Sequence, residues 1–291
     1  MTFSGTYTAL ATPFREGAFD TAAFDRLLAQ QVEAGVDGVV AVGTTGESPT
    51  LNTEEHLAVI KRAVDVVGKD VTVIAGTGAN ATSEAVHLTQ QAEALGAHAS
   101  LQVAPYYNKP SQAGLVAHFS AIAQATQLPI MLYSIPGRCG IEIGAGTTAE
   151  LARTCPNIVS IKEAGGSAER VSLLRQAVPE SFQILSGDDS LTLPFMSLGA
   201  RGVVSVASNL VPQAVVEMVR AANGNDFTVA EAMHRKYYPL FKGLFLEPNP
   251  VCVKYALARQ GWMTDDVRLP LTPISDPVRE QLDPILEGLG L

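Results

Sequence analysis

The sequence is poor in cysteine, tryptophan and positive charge. Its 291 residues contain three cysteines and one tryptophan, and 29 acidic residues outnumber 20 lysines and arginines, so the net charge is −9. This balance argues against nucleic acid as a main partner, because phosphate binding requires a basic patch. The three cysteines are far apart in the chain and lack C-x-x-C spacing, which argues against a disulfide framework and against a zinc site.

Long hydrophobic runs are also absent. No run reaches the roughly 18 apolar residues that a membrane-spanning helix needs. No dense cluster of lysine and arginine is present that could bind a membrane surface. The first 20 residues contain no basic segment followed by an apolar one, as a secretory signal would. Together with the unpaired cysteines, these features predict a cytoplasmic protein.

Eight short apolar runs alternate with segments of helical periodicity. Helical segments such as 53–68 and 83–96 end at glycine, and Thr53 and Thr82 are candidate N-caps. A strand and a helix repeated eight times, about every 25–30 residues, predict a (β/α)8 TIM barrel in the α/β class, with a doubly wound sheet as the alternative. The predicted strands cover 5–14, 38–46, 71–78, 99–107, 128–136, 158–165, 182–189 and 202–209.

Polar residues favour the barrel because they gather at the C-terminal end of nearly every predicted strand, where barrel enzymes have their active sites. The strand pattern stops near residue 222, and helical segments follow. We therefore predict a catalytic barrel at 1–224 and a helical C-terminal extension at 225–291.

Lys162 directly follows an apolar, β-branched run, IVSI at 158–161. Since successive strand residues face opposite sides, Ile158, Ser160 and Lys162 should share one face, which directs Lys162 into the barrel mouth. Burial lowers the pKa of a lysine and yields a nucleophilic amine that can form a Schiff base with a carbonyl. The alternative is a structural ion pair with Glu163 or with an acid on a neighbouring strand.

Two further segments suggest chemistry near this lysine. Tyr133 ends the preceding strand and should point to the same mouth, where a phenol can transfer protons; the alternative is a tyrosine at the edge of the core. The turn GTTGES at 43–48 could hold a carboxylate through backbone N–H groups and hydroxyls, or could be a simple capped turn. The glycines at 76–80 and 144–148 do not form a G-x-G-x-x-G fingerprint, so a nucleotide-dependent oxidoreductase is a distant alternative.

With these residues assembled, the sequence resembles the dihydrodipicolinate synthase family of pyruvate-dependent class I aldolases, which also contains N-acetylneuraminate lyase. The resemblance runs nearly from end to end. It rests on the segments GTTGESPTLN (43–52), IAGTGAN (74–80), APYYNKPSQ (104–112), LYSIPGRCG (132–140), IVSIKEA (158–164), LSGDD (185–189), GVVSVASN (202–209) and EPNPVCVK (247–254).

The resemblance implies a lyase that condenses pyruvate with aspartate semialdehyde in the diaminopimelate route to lysine. No metal or organic cofactor is expected. The implied catalytic residues are Lys162, which forms the Schiff base, and a proton relay of Thr44, Tyr133 and Tyr107, the last reaching into a neighbouring subunit. The implied substrate-binding residues are Thr45 for the pyruvate carboxylate, the backbone carbonyl of Val204, Gly187 in the adjoining loop, and Arg138 for the carboxylate of aspartate semialdehyde.

The resemblance also implies a homotetramer built from two dimers, with L-lysine as a feedback effector at a subunit interface. The matching residues are Ser48, His56, Asn80, Glu84 and Tyr106. Thr53 stands where enterobacterial members have histidine, so the strength of inhibition is open. Two other functions stay open as well. One is another pyruvate aldolase of the family, such as a sialic acid or keto-sugar-acid lyase, and the other is a non-catalytic metabolite-binding homologue.

Overall fold

The computed structural model describes residues 2–291, and eight parallel strands in this range close into a barrel. Strand β1 pairs with β2 on one side and with β8 on the other, so the sheet has no free edge. The predicted (β/α)8 barrel is confirmed, and the doubly wound sheet is wrong. The strands are Gly5–Ala9 (β1), Gly38–Ala41 (β2), Thr72–Gly76 (β3), Ala99–Val103 (β4), Ile130–Ser134 (β5), Ile158–Glu163 (β6), Gln183–Ser186 (β7) and Gly202–Ser205 (β8).

Helices follow the strands, and three more complete the chain. They are Thr21–Ala34 (α1), Thr53–Val67 (α2), Thr82–Ala94 (α3), Gln112–Gln124 (α4), Ala145–Thr154 (α5), Ala168–Ala177 (α6), Thr192–Ser197 (α7), Pro212–Asn223 (α8), Phe227–Gly243 (α9), Val251–Arg259 (α10) and Asp276–Leu289 (α11). Shorter elements are the hairpin strands Phe14–Arg15 and Ala18–Phe19, the one-turn helix Pro136–Cys139, and the 3-10 turns Ser48–Thr50, Asp189–Leu191 and Ala207–Asn209.

The helix caps differ from the predicted ones by one residue. Helix α2 is capped by Asn52, whose side chain accepts a hydrogen bond from the Glu55 N–H, while the Glu55 carboxylate accepts one from the Asn52 N–H. Thr53 and Thr82 are the first residues inside their helices, so their prediction as N-caps is wrong. Asn52 supplies a short acceptor one position earlier, and this reciprocal capping box satisfies two otherwise unpaired N–H groups.

The strands are apolar on both faces because the barrel separates two cores. Tyr7, Val40, Ile74, Leu101 and Met131 fill the interior, whereas a larger set packs between the strands and the helices. Residues buried on both faces read as continuous apolar runs in the sequence, which is typical of parallel sheets.

Strand β6 departs from simple alternation at its start. Ile130 pairs with Ile158 but Met131 pairs with Ser160, so one extra residue is inserted into β6. As a result Ile158 packs in the outer core and Val159 against the inner one. The prediction that Ile158 shares a face with Ser160 and Lys162 is therefore wrong. A bulge of this kind shifts the side-chain alternation by one residue. From Ser160 onward the predicted order holds, and Lys162 is opposite Tyr133 on β5.

The C-terminal helices α9 to α11 form as predicted and pack on the outer core through buried apolar residues, including Leu240, Leu257 and Leu282. The division of the chain between residues 224 and 225 stays a prediction. In residues 2–291 no helix has the length and the apolar character that crossing a membrane requires.

A buried ion pair joins this extension to the turn after β2. Lys254 on α10 is 0% exposed and Glu47 is 1% exposed, and the Lys254 Nζ is 2.6 Å from the Glu47 Oε1. The same Nζ donates to the backbone carbonyl of Asp266 at 2.6 Å and lies 4.2 Å from the centre of the Phe14 ring. Glu47 follows Thr44 and Thr45 within one turn, so the extension is held directly against the predicted substrate-binding loop.

Candidate active site

Lys162 lies at the C-terminal end of β6, with 6% of its surface exposed. Its Nζ is 4.3 Å from the centre of the Tyr133 ring. Burial lowers the pKa of Lys162 to about 8, the buried carboxylate of Asp189 opposes this shift, and Arg138 adds to it. Glu163 does not pair with Lys162, because its Oε2 is 3.3 Å from the Nε of Arg170 and its Oε1 accepts from the Gly165 N–H. The alternative of an ion pair with Glu163 is therefore wrong.

Gly187 leaves the space that the Lys162 side chain occupies. A Cβ at this position would be 2.9 Å from the Lys162 Cε and 2.8 Å from the Ala164 Cβ. The Gly187 N–H donates to the Glu163 carbonyl at 2.8 Å, which holds the loop in place. Any side chain at residue 187 would therefore displace the lysine. Val204, the other predicted pyruvate contact near this end, lies on β8 and belongs to the core inside the barrel.

Tyr133 is 4% exposed. Burial raises the pKa of its phenol to about 12, against the opposing effects of a hydrogen bond with Thr44 and of the positive charge on Arg138. The phenol is therefore protonated at neutral pH and can donate a proton to a developing alkoxide. The structure thus brings Thr44, Tyr133, Arg138 and Lys162 together.

The turn at 43–48 is organised by its own backbone, since the Gly43 carbonyl accepts hydrogen bonds from Gly46 at 3.1 Å and Ser48 at 3.3 Å. Val42, just before it, has a φ of 58°, which is a costly conformation for a β-branched residue. Such strain is found preferentially at functional sites.

Thr45 is 2% exposed, and its Oγ1 accepts a hydrogen bond of 2.9 Å from the Asn249 Nδ2. The backbone carbonyl of Asn249 accepts from the Arg138 Nη2 at 3.3 Å. Reasoning from the sequence missed Asn249 as a contact of two predicted binding residues. The only signal was its place in EPNPVCVK, one of the segments that carry the family resemblance.

A cavity of about 220 Å³ opens at this end of the barrel. Its wall includes Thr44, Tyr133 and Arg138, with Val42, Leu101 and Val103 as apolar residues. Lys162 is not itself on this wall, but its amine lies over the ring of Tyr133, which is. A small, partly apolar cavity with a few convergent polar groups suits a small organic acid better than a polymer.

Tyr107 lies apart from the other predicted catalytic residues. It is 90% exposed and has a φ of 71°. Its neighbour Tyr106 contributes to the cavity wall, whereas Tyr107 does not. A single chain therefore does not bring Tyr107 to Tyr133 and Thr44.

Four of the five predicted effector residues line a second pocket of about 90 Å³. Ser48, His56, Glu84 and Tyr106 line it, together with Thr53. Asn80 is not on its wall, but its Nδ2 donates to the Tyr106 carbonyl at 3.4 Å. Ser48 and Tyr106 also line the larger cavity, so the two spaces share a wall.

The charge in the second pocket comes from Glu84. His56 Nε2 is 2.8 Å from the Gly76 carbonyl, and burial lowers the pKa of His56. The imidazole is therefore neutral at pH 7. Within residues 2–291, no group of three or more His, Cys, Asp or Glu side chains is arranged to hold a metal ion.

The fold and these side chains define a barrel enzyme with a candidate nucleophilic amine. The family model of the dihydrodipicolinate synthetase family matches residues 2–289. A 4-hydroxy-tetrahydrodipicolinate synthase from Persephonella marina is 48% identical over 290 residues, which cover 99% of each chain. The chain belongs to the dihydrodipicolinate synthetase family.

Two solved structures extend this comparison. The enzyme from Acinetobacter baumannii, described as chloride-inhibited and complexed with pyruvate, is 43% identical with a TM-score of 0.97 and covers 99% of each chain. The enzyme from Cyanidioschyzon merolae with lysine bound is 42% identical with a TM-score of 0.96, again over 99% of each chain. The predicted family and the predicted lyase function are confirmed, in preference to a sugar-acid lyase or a non-catalytic homologue. The roles of individual residues stay predictions.

Proposed function

We propose that this enzyme joins pyruvate to aspartate semialdehyde through an imine formed on Lys162. The observation that carries the proposal is the buried amine of Lys162, 4.3 Å from the centre of the Tyr133 ring, and burial lowers its pKa to about 8. At that pKa about a tenth of the Lys162 side chains are neutral at pH 7, compared with about one in 10³ for an exposed lysine. The relatives' synthase activity and the pyruvate bound to one of them support the choice of substrate.

The reaction begins when the Lys162 amine attacks C2 of pyruvate, and loss of water gives the protonated imine. Loss of a methyl proton then gives an enamine, with the imine nitrogen taking up the electron pair. The enamine carbon attacks the aldehyde, whose oxygen takes a proton from the relay of Tyr133 and Thr44. Finally the amine of the second substrate displaces Lys162 by transimination, which closes the ring and frees the enzyme. Because the imine itself is the electron sink, no metal or organic cofactor is required.

Four residues are proposed to bind the substrates. Thr45 donates to the pyruvate carboxylate, the Val204 carbonyl contacts pyruvate, and Gly187 leaves room for the lysine that captures it. Arg138 binds the carboxylate of aspartate semialdehyde. Arg138 lies on the cavity wall, and its charge lowers the pKa values of both Lys162 and Tyr133. A planar cation at the cavity mouth suits a carboxylate that arrives after pyruvate.

A panel of aldehydes tests the function. With pyruvate as the first substrate, turnover should be highest for aspartate semialdehyde. The coupled reduction of the cyclic product measures this turnover. Turnover confined to sugar aldehydes would identify a sugar-acid lyase instead. Pyruvate binding without turnover of any aldehyde would identify a metabolite-binding homologue.

We further propose that Tyr107 completes the proton relay of a neighbouring subunit in a homotetramer of two dimers. Its 90% exposure supports this, since a phenol so placed can enter another chain. Sedimentation of fully active enzyme as monomers would contradict this assignment. A cytoplasmic location stays a prediction from the sequence.

The activity should depend on pH through Lys162. Imine formation requires the neutral amine, so its rate should rise about tenfold per pH unit below pH 8 and level off above it. Replacing Arg138 by methionine removes a positive charge that lowers the Lys162 pKa, so the midpoint should move to higher pH. Borohydride trapping of pyruvate at short times measures this. Arg235→Met, which removes a 79% exposed arginine on α9, is the matched control; an unshifted midpoint in Arg138→Met would contradict the electrostatic argument.

The second pocket is proposed to bind L-lysine, and a solved relative described as having lysine bound supports the choice of effector. Glu84 is its charged wall residue and would pair with an ammonium group of the effector. Glu84→Gln should weaken the binding of L-lysine by about 10-fold or more, because a charge-assisted hydrogen bond is lost. Calorimetric titration with L-lysine measures this, with Glu54→Gln on the exposed side of α2 as the control. Equal lysine affinity in Glu84→Gln and wild type would place the effector elsewhere.

A further inference from the structure

We propose that Asn249 is a positioning residue that keeps the Thr45 hydroxyl available as a hydrogen-bond donor to the carboxylate of the keto acid. This inference rests on the proposed function and assigns a role to a residue outside the predicted catalytic set. Asn249 lies in the EPNP segment between α9 and α10, and it reaches Thr45 across 204 residues of sequence.

The direction of the Thr45 hydrogen bond depends on its single hydroxyl proton. A threonine hydroxyl has one proton to donate and lone pairs to accept with. The Asn249 amide nitrogen can only donate, so its hydrogen bond of 2.9 Å occupies a lone pair of Thr45 and leaves the proton free. Among residues 2–291, no group accepts a hydrogen bond from Thr45 Oγ1. Thr45 is 2% exposed and Asn249 is 5% exposed, so bulk water has little access to accept a hydrogen bond from this proton.

An uncommitted, buried donor suits an anionic oxygen, because a hydrogen bond to a charged acceptor is stronger than one between neutral groups. A partner that could only accept would have the opposite effect. It would take the proton and turn the Thr45 lone pairs toward the carboxylate. The orientation of the Asn249 amide, with Nδ2 toward Thr45, therefore sets the direction of the Thr45 hydrogen bond, and an aspartate at residue 249 would reverse it.

The backbone of Asn249 makes an independent contact. Its carbonyl accepts from the Arg138 Nη2 at 3.3 Å, and Arg138 is the proposed clamp for the second substrate. The segment is anchored on both sides, since Glu247 accepts from the Ser275 N–H at 3.2 Å and Lys254 pairs with Glu47 at 2.6 Å. Substitutions at residue 249 keep the backbone carbonyl. These substitutions should therefore weaken the binding of pyruvate and leave the KM for aspartate semialdehyde nearly unchanged.

Asn249→Asp tests this directly because the carboxylate has the same shape as the amide but only accepts. The apparent dissociation constant of pyruvate, from the concentration dependence of borohydride trapping, should rise about 100-fold. The KM for aspartate semialdehyde should change by less than about 3-fold, since the Arg138 contact is to the backbone. Asn249→Ala removes the donor to Thr45 without adding an acceptor for the Thr45 proton. It should raise the apparent dissociation constant of pyruvate about 10-fold. Asn223→Asp places the same charge on the exposed end of α8 and should have no effect.

A double-mutant cycle separates this role from general damage. In Thr45→Val the hydroxyl is gone, so adding Asn249→Asp should weaken pyruvate binding far less than it does in the wild type. Wild-type pyruvate affinity in Asn249→Asp, or fully additive effects of the two substitutions, would overturn the inference. If Asn249→Asp does not fold, Asn249→Ala is tested with the same two measurements, the dissociation constant of pyruvate and the KM for aspartate semialdehyde. Unchanged pyruvate affinity in Asn249→Ala would then overturn the inference. Failure of wild-type enzyme to trap pyruvate would instead overturn the proposed function itself.

Discussion

Replacing Lys162 by alanine should abolish the covalent capture of pyruvate. The variant has no amine in the cavity to attack C2, so borohydride should add no pyruvate-derived mass to it. The rate of condensation should fall by at least about 10⁴-fold, because covalent catalysis through an activated lysine is lost and binding of the substrates cannot replace it. Intact-mass and peptide mass spectrometry measure the adduct, and the coupled reaction measures the rate.

Controls separate this result from damage to the fold. Lys69→Ala, in an exposed turn after α2, should be trapped and should turn over like the wild type. Lys162→Met fills most of the volume of the lysine and should be as inactive as Lys162→Ala. The imine assignment is wrong if either Lys162 variant keeps the wild-type rate, or if the labelled wild-type peptide contains a different lysine.

Replacing Lys254 by methionine should lower the free energy of unfolding by about 3–5 kcal/mol, because it leaves the buried Glu47 carboxylate without its positively charged partner. Glu47 is 1% exposed, so water cannot solvate its charge in the folded state. The lost hydrogen bond to the Asp266 carbonyl adds to the effect. Urea denaturation followed by circular dichroism measures the change at matched protein concentration.

Two comparisons make this prediction specific. The pair Lys61–Asp65 on α2 has side chains 49% and 46% exposed, and Lys61→Met should cost no more than about 1 kcal/mol. The double variant Glu47→Gln, Lys254→Met should regain much of the lost stability, since no unpaired charge is then buried. Equal unfolding midpoints for Lys254→Met and wild type would show that the pair does not stabilise the fold.

The Glu47–Lys254 pair also has a consequence for catalysis. Glu47 is two residues from Thr45, and Asn249 and Lys254 both approach the same turn from the C-terminal extension. Positions of the hydroxyls in this turn therefore depend on helices that contribute no strand to the barrel. We therefore expect the helical extension to influence the proposed chemistry at the barrel mouth.

Much of the fold and the candidate site could be predicted from local patterns. Eight strand–helix units, the place of Lys162 at a strand end and its proximity to Tyr133 follow from periodicities of two and 3.6 residues and from the pairing of successive strands. These features depend on a few neighbouring residues, so they can be read along the chain. The family segments then supplied predicted roles for Thr44, Thr45 and Arg138, which local patterns leave open.

Other features arise only when distant segments meet. The bulge in β6 depends on how β5 and β6 align, and no local signal marks Val159 as the residue that turns inward. The partners of Thr45 and Glu47 are 204 and 207 residues away in sequence. Closure of the barrel and docking of α10 determine which buried polar groups pair, because a hydrogen bond requires a distance of about 3 Å between donor and acceptor atoms and a suitable direction. Periodicity predicts the face on which a side chain lies, but it does not predict which distant residue contacts that side chain.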